Sequence, residues 1–255
     1  MSLLPLACLL IANQGLKPME WHSLLAKEQF RSGDNVLPYR FMAPAKVEEG
    51  KKYPLVIFLH GAGERGNDNN VQLVHGVKAF ASPVARDKFP CYLIAPQCPT
   101  GKRWVEVDWS AKQHDMPPKA SEPLNWLLGL LEKLKKEKPI DTDRVYVTGL
   151  SMGGYGTWDI LSRHADLFAA AAPVCGGGDE AKAPAMKGVP IWAFHGEKDT
   201  VVIPERSRRM VEAVKKAGGT VKYTEYPGVG HNSWDPAYAE KELLPWMFAQ
   251  KRQGR

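Results

Sequence analysis

The stretch that decides the fold is Gly149-Leu150-Ser151-Met152-Gly153, which fits the pattern G-x-S-x-G. An apolar, strand-like run comes directly before it, and a helical stretch with two further glycines comes directly after it. This order predicts a sharp strand-to-helix turn, in which small residues let the chain approach itself. The hydroxyl of Ser151 then stands exposed above a sheet, so the same five residues predict an architecture and a candidate nucleophile.

Outward from this turn, apolar strand-like runs alternate with helical stretches. Strands are predicted at 36–41, 53–59, 92–95, 144–148, 168–174, 190–194 and 221–226. Helices are predicted at 121–136, with Ser121 as N-cap, and then after Ser151 to about 164, at 204–216 and at 237–249. Such alternation predicts the α/β class: a mostly parallel central sheet with an antiparallel N-terminal edge from the first two strands, and helices on both faces. We expect one domain over residues 1–255, without a large cap domain.

The composition excludes several classes of protein. The net charge is +6, but the densest basic run, at 133–138, closes a predicted helix and has no aromatic residues between its charges. Cations at a helix C-terminus complement its dipole, so we expect no nucleic-acid partner. The four cysteines fit no zinc or redox motif, and Cys91 and Cys98 flank one predicted strand, too far apart to bond. Free buried thiols are therefore expected, with a monomer as the default state.

The N-terminus leaves two interpretations open. Residues 3–12 are short and apolar, like the core of a secretory leader, but no positive charge precedes them. The segment is too short to span a bilayer, and no other segment is a candidate. Residues 1–20 are thus either the remnant of a leader, which implies a secreted or periplasmic protein, or an arm packed on the domain of a cytoplasmic one.

A serine nucleophile needs a base, and the base needs an acid that orients it. His231 follows the last predicted strand in a loop with preceding glycines, and Asp199 follows the strand before it. Proteins with this strand-to-helix serine turn carry their catalytic residues in the chain order Ser, acid, His. We therefore predict Ser151, Asp199 and His231 as the catalytic residues.

Three neighbouring residues receive other interpretations. Glu197 is the alternative acid, because it lies in the same loop as Asp199. Asp179 follows the wrong strand, and His195 is expected to tie the acid loop down rather than to act in catalysis.

The glycine-rich stretch at 60–66 supplies the second half of the predicted site. An oxyanion hole needs the N–H after the nucleophile, here that of Met152, and one from the loop after the strand at 53–59. Ala62 is the predicted second donor, with Gly63 as the alternative. The same loop spells G-x-G-x-x-G, a dinucleotide-binding fingerprint, yet no carboxylate ends the next strand. No metal motif is present and no cofactor is expected.

These pieces resemble a known group. The stretches at 60–66, 149–158, 174–179 and 195–199, together with Gly230-His231, are similar to α/β-hydrolase esterases related to bacterial dienelactone hydrolases, polyhydroxybutyrate-depolymerase-like esterases and "predicted peptidases". Pro96-Gln97-Cys98 and Arg103-Trp104 also resemble carboxylesterases of this group. The resemblance covers roughly residues 36–248. It implies a cofactor-free carboxylesterase that acts on small-molecule esters, often with short acyl chains.

Several functions share this skeleton. Feruloyl or acetyl-sugar esterases, polyester depolymerases and serine peptidases use the same triad, and a non-catalytic or dinucleotide-binding α/β protein is the remote alternative. Trp104, Trp109 and Trp234 are either walls of a substrate pocket or packing anchors, and the sequence leaves both open. Trp158, on the helix after Ser151, is expected in the core.

Overall fold

The computed structural model describes residues 20–252. The predictions for the N-terminal arm or leader, and for Cys8, lie outside the described residues. One eight-stranded sheet, in the order β1-β2-β4-β3-β5-β6-β7-β8, organises the described part of the chain. The strands are β1 (Ala26–Ser32), β2 (Asn35–Met42), β3 (Tyr53–Leu59), β4 (Tyr92–Pro96), β5 (Ile140–Leu150), β6 (Ala170–Val174), β7 (Ile191–Gly196) and β8 (Val221–Tyr226).

The seven α-helices of the described residues cover both faces of this sheet. They are α1 (Lys78–Ala81), α2 (Pro83–Lys88), α3 (Glu122–Glu137), α4 (Met152–His164), α5 (Glu205–Lys216), α6 (Trp234–Ala239) and α7 (Leu243–Ala249). Alternate side chains of β3 enter two separate cores: Leu55 and Ile57 pack with residues of α3, α4 and α5, whereas Val56 and Phe58 pack with residues of α1, α6 and α7. A strand buried on both faces explains why β3 reads as a continuous apolar run.

The predicted fold class is confirmed: a mostly parallel sheet with an antiparallel N-terminal edge and helices on both faces. The edge itself differs from the prediction. β2 pairs antiparallel with β1 and with β4, not with β3, which is parallel to both β4 and β5. The strand β1 was not predicted, because its exposed polar residues hide the apolar pattern on which strand prediction depends.

The C-terminal helix prediction was wrong in one respect. The segment predicted as one helix contains two, because Glu240 leaves helical geometry with ψ near 118° and ends α6. Pro236 and Pro245 each lie in the first turn of their own helix, where the missing N–H of proline costs nothing. Helix α3 agrees with its prediction, and the hydroxyl of Ser121 accepts a hydrogen bond from the Leu124 amide as its N-cap.

Candidate active site

The turn around Ser151 is the most tightly packed backbone in the site. Ser151 joins β5 to α4 with φ of 52° and ψ of −117°, a strained conformation for a residue with a side chain. A Cβ on Gly153 would collide with the carbonyl oxygen of Leu59, and one on Gly149 would lie 2.7 Å from that same oxygen. The G-x-S-x-G pattern is therefore required sterically, because β3 and the start of α4 leave no room for side chains.

Three side chains converge at the carboxyl ends of the parallel strands. The hydroxyl of Ser151 lies 2.9 Å from Nε2 of His231, and Nδ1 of His231 lies 2.7 Å from Oδ2 of Asp199. With Nδ1 donating to the carboxylate, Nε2 is free to accept from the serine hydroxyl. The side chain of His231 is 21% exposed and that of Asp199 is fully buried. The arrangement can take a proton from Ser151 while the buried acid holds the ring in place.

Hydrogen bonding keeps Asp199 ionised in spite of its burial. Burial alone raises its pKa, but hydrogen bonds from His195 and His231 and from the amide of Val202 outweigh that effect and hold the pKa of Asp199 well below its usual range. Oδ1 accepts from the amides of Val201 and Val202 at 2.9 and 3.0 Å. The carboxylate is thus fixed on both oxygens and charged at neutral pH, as a partner of an imidazolium must be.

The structure separates the neighbouring acids from this arrangement. Glu197 is exposed, and its carboxylate accepts from the Gly228 amide at 2.7 Å, which ties the acid loop to the loop of His231. Asp179 accepts from the amides of Met116 and Ala181, both at 2.9 Å. Neither carboxylate hydrogen-bonds to the imidazole of His231.

His195 has the structural position that the sequence predicts. It is completely buried, with Nε2 2.8 Å from the carbonyl of Val202 and Nδ1 2.7 Å from the hydroxyl of Ser207. Nε2 also lies 3.2 Å from Oδ2 of Asp199. The ring therefore holds the acid loop closed from below.

The predicted oxyanion donors lie at the starts of two helices. Met152 is the first residue of α4, and Ala62 is the first residue of a short 3-10 helix, Ala62–Glu64. Amides in these positions have no acceptor within their own helix and so can bind an anion. Gly61 lies beside the nucleophile, because a Cβ on it would be 3.7 Å from the Cβ of Ser151. Gly63 is exposed, whereas Ala62 is partly buried next to this glycine.

The glycine loop does not have the form of a dinucleotide site. In that motif the glycines open a long helix whose N-terminus faces the pyrophosphate. Here they enclose a 3-10 helix of three residues, and the next strand, β4, ends in Pro96 without a carboxylate. The dinucleotide interpretation therefore lacks its binding element.

His60 fixes this loop, a role that the sequence did not reveal. Its Nδ1 donates to the carbonyl of Gly61 at 2.6 Å, and its Nε2 accepts from the amide of Cys98 at 2.9 Å. Burial, above all, lowers the pKa of His60 to about 4, so the ring is neutral and each nitrogen has the protonation that its partner requires. Its place at the start of the glycine loop was the available signal.

Cys175 forms the floor beneath the site. It has φ of 40°, and its amide donates to the carbonyl of Phe194 at 2.8 Å. Its thiol is buried, and burial raises its pKa to about 12, so the sulfur stays protonated and does not compete with Ser151 as a nucleophile. Cys91 and Cys98 are also free and buried, which confirms the prediction for the three cysteines in the described part.

One cluster among residues 20–252 has the composition of a metal site. The potential ligand atoms of Cys175, Asp199 and His231 lie within 4.8 Å of one another. The two nitrogens of His231 are already engaged by Asp199 and Ser151, and a cation there would occupy the base. The geometry of the group fits hydrogen bonding.

The three tryptophans considered as pocket walls differ in their burial and contacts. Trp104 is fully buried, and its Nε1 donates to the carbonyl of His60 at 3.0 Å, so the pocket interpretation is wrong for this residue and it is a packing anchor. Trp109 is partly buried between the guanidinium groups of Arg65 and Arg103, 5.9 and 4.6 Å from its ring centre. Trp158 lies in the core, as expected.

Trp234 lies beside the base. It is partly exposed, and its ring packs perpendicular to that of His231, with ring centres 5.3 Å apart. Trp234 thus lies next to the hydrogen-bonded pair of Ser151 and His231, whereas Trp109 lies next to the glycine loop through Arg65.

The segment at 102–118 is fastened to the rest of the protein by side chains. The hydroxyl of Tyr155 donates to the carbonyl of Trp109 at 3.2 Å. Arg206, completely buried on α5, donates to the carbonyl of Ala111 at 3.3 Å and contacts Nδ1 of His114 at 2.5 Å. These contacts hold an irregular segment in one position without secondary structure of its own. A cavity of about 770 Å³ lies elsewhere, along β1, and none of the triad lines it.

The dienelactone hydrolase family model matches residues 114–241, half of the chain. The chain belongs to the dienelactone hydrolase family. The matched region contains Ser151, Asp199 and His231, whereas the glycine loop at 60–66 lies outside it. The resemblance noted from the motifs is thereby confirmed for this family.

Individual relatives of this dienelactone hydrolase family member are esterases or depolymerases by name. A solved thermostable esterase is 41% identical, with a TM-score of 0.84 over 91% of this chain and 64% of its own. A bifunctional acetylxylan esterase/xylanase of Neocallimastix patriciarum is 40% identical over 77 residues, 30% of this chain and 12% of its own length. A poly(3-hydroxyalkanoate) depolymerase C of Paucimonas lemoignei is 29% identical over 49% of this chain and 28% of its own. The chain thus spans less than two thirds of each of these proteins.

Among the described residues no helix is long and apolar enough to cross a bilayer.

Proposed function

We propose that this protein is a serine carboxylesterase that works through an acyl-enzyme on Ser151. The observation that carries the proposal is the chain of two hydrogen bonds from Ser151 to His231 and from His231 to Asp199, at 2.9 and 2.7 Å. The name of the 41%-identical esterase supports the same activity.

The reaction follows from these positions. His231 takes the proton of Ser151 as its hydroxyl oxygen attacks the ester carbonyl carbon, and Asp199 stabilises the imidazolium that forms. The amides of Met152 and Ala62 donate to the oxyanion, each contributing about 3–4 kcal/mol of barrier lowering. His231 then gives its proton to the leaving alkoxide. Water, deprotonated by the same ring, attacks the acyl-enzyme and releases the carboxylic acid.

The proposed substrates are short-chain acyl esters of small molecules. We propose Trp109, which lies next to the glycine loop through Arg65, as the side chain that limits the length of the acyl group. Feruloyl and polyester substrates, and peptides, share the chemistry and are the outcomes against which the proposal is tested.

Pre-steady-state hydrolysis of p-nitrophenyl esters tests both parts. We expect a burst of p-nitrophenol equal in concentration to the enzyme, followed by slower turnover, with acetate and butyrate hydrolysed faster than octanoate. No hydrolysis of any ester, together with cleavage of peptide p-nitroanilides, would replace the esterase by a peptidase. A preference for octanoate or longer acyl chains would contradict the short-chain assignment.

A further inference from the structure

The carboxylate of Glu64 is an unexplained charge beside the nucleophile. A Cβ placed on Gly61 would lie 2.9 Å from Oε2 of Glu64 and 3.7 Å from the Cβ of Ser151, so both side chains pack against the same backbone atom. Oε2 is buried and has no hydrogen-bond donor among the described residues. Nε2 of His75 lies 4.0 Å from Oε1 of Glu64, beyond hydrogen-bond distance.

Such a group has a cost that folding alone does not repay. A buried acceptor without a donor destabilises a protein by about 1–3 kcal/mol, and more when the acceptor is charged. A negative charge near an oxyanion hole also opposes the charge that develops there. A carboxylate retained in this position is therefore best explained by a donor that arrives with the substrate.

The surroundings show which part of the substrate reaches it. Glu64 contacts His75, whose ring packs against Trp234 with centres 5.2 Å apart, and Trp234 packs against His231. Glu64, His75 and Trp234 thus form a continuous row of side chains, here called the leaving-group wall, which runs from Gly61, next to Ser151, to the ring of His231. The leaving alcohol oxygen must face Nε2 of His231 to receive its proton, so the alcohol part of an ester lies along this wall.

We propose that Glu64 accepts a hydrogen bond from a second hydroxyl group of the leaving alcohol, and that the enzyme is specific for esters of polyols such as glycerol or a sugar. This rests on the proposed esterase function. The side chain of Glu64 is 15% exposed and that of His75 is 34% exposed, so the wall is reachable from solvent. Trp234 offers an aromatic surface to the carbon skeleton, and Glu64 offers an acceptor to the hydroxyl next to it.

Two esters of equal length test the proposal. 2-Hydroxyethyl acetate and propyl acetate share their acyl group and differ by a hydroxyl in place of a terminal methyl of the alcohol. We expect kcat/KM of the wild type to be about tenfold higher for the hydroxyethyl ester, because a hydroxyl donating to a charged acceptor is among the stronger hydrogen bonds. In Glu64→Leu the ratio falls to about one, and in Glu64→Asp, which keeps the charge but shortens its reach, it also falls.

The matched control is Glu212→Gln, which removes the same charge from an exposed position on α5 and is expected to keep the wild-type ratio. If Glu64→Leu does not fold, as judged by circular dichroism, Glu64→Asp and Glu64→Gln decide the question. A wild-type ratio near one, or an unchanged ratio in the Glu64 variants, overturns the proposal. If the wild type does not hydrolyse p-nitrophenyl acetate, the proposed esterase function itself is wrong, so the two failures are distinguishable.

Discussion

The turn around Ser151 and the segment at 102–118 both contact helix α4 but are held by different forces. The turn is fixed by backbone packed on backbone, where glycines at 149, 153, 154 and 176 leave no room for a Cβ. The segment is fixed by side chains that reach across the molecule, chiefly those of Arg206, Asp179 and Tyr155. The first therefore has a local sequence pattern, and the second has none. The difference separates the proposed catalytic residues from the residues proposed to contact the substrate.

Two buried aspartates sharpen the contrast most strongly. Asp199→Asn is expected to lower kcat for p-nitrophenyl acetate about 10⁴-fold, because the amide favours the wrong tautomer of His231. Asp179→Asn leaves one oxygen for the amides of Met116 and Ala181, so one of them loses its acceptor, and we expect kcat to change less than tenfold. Steady-state kinetics of both variants, with circular dichroism as the folding check, measure this. Equal losses of kcat in the two variants would contradict the distinction between the Ser151 turn and the segment at 102–118.

The turn itself can be broken by one methyl group. Gly153→Ala places a Cβ against the carbonyl oxygen of Leu59, and also 2.8 Å from that of His60. We expect the free energy of unfolding to fall by more than about 4 kcal/mol, or folding to fail, because backbone on both sides prevents relaxation. Gly188→Ala, where no atom lies within 4 Å of the new Cβ, is the matched control and should be neutral. Urea denaturation compares them, and similar midpoints would refute the steric account.

His60 connects the two regions, and its neutrality predicts a pH effect. Its ring holds the oxyanion loop, while its carbonyl accepts from Trp104 of the segment. Between pH 6.5 and about 4 the unfolded chain binds a proton at this histidine and the folded chain does not, so acidification favours unfolding. The contribution is roughly 3 kcal/mol across that window. The charge of Arg65 lowers the pKa of His60, and the charge of Asp68 raises it.

The variant His60→Gln isolates this contribution. The amide keeps one donor and one acceptor but does not titrate, so its unfolding free energy should fall less between pH 6.5 and 4 than that of the wild type. Parallel pH profiles for the two proteins would show that His60 is not held neutral.

The smallest expected effect is on substrate binding. Arg206→Met removes the donors that reach Ala111 and Gly178 and frees the middle of the segment. We expect KM for p-nitrophenyl acetate to rise about tenfold and kcat to change less than threefold, because the segment at 102–118 moves while the triad stays in place. The KM of Arg206→Lys, which keeps the charge, should lie between that of the wild type and that of Arg206→Met. A fall in kcat at constant KM would place Arg206 in the chemical step.

Sequence reasoning reached the parts of this molecule in which local sterics or chain order dictate the residue. The turn at Ser151, the chain order of the predicted acid and base, and the apolar strands β3, β4, β6 and β7 all have such signals. The same reasoning missed β1, whose residues are mostly exposed, and the break at Glu240 between α6 and α7. It also could not choose between wall and anchor for Trp104, because burial depends on a contact with His60 that is 44 residues away in the chain.

The features of the cleft that concern the substrate were the least predictable. Glu64 occupies a variable position of the glycine loop and His75 lies outside that loop, and the position of Glu64 beside Gly61 depends on the three-residue helix that carries it. Arg206 is a buried charge that forms no ion pair with a carboxylate of residues 20–252, an arrangement that no local pattern predicts.

The central claim, that Ser151 is made nucleophilic by His231, is tested most directly by labelling with a fluorophosphonate followed by mass spectrometry of the digested protein. We predict one covalent adduct per chain on the peptide containing Ser151, and labelling slowed at least a thousandfold in His231→Ala. An adduct on another residue, or equal labelling rates in the wild type and the variant, would contradict the account.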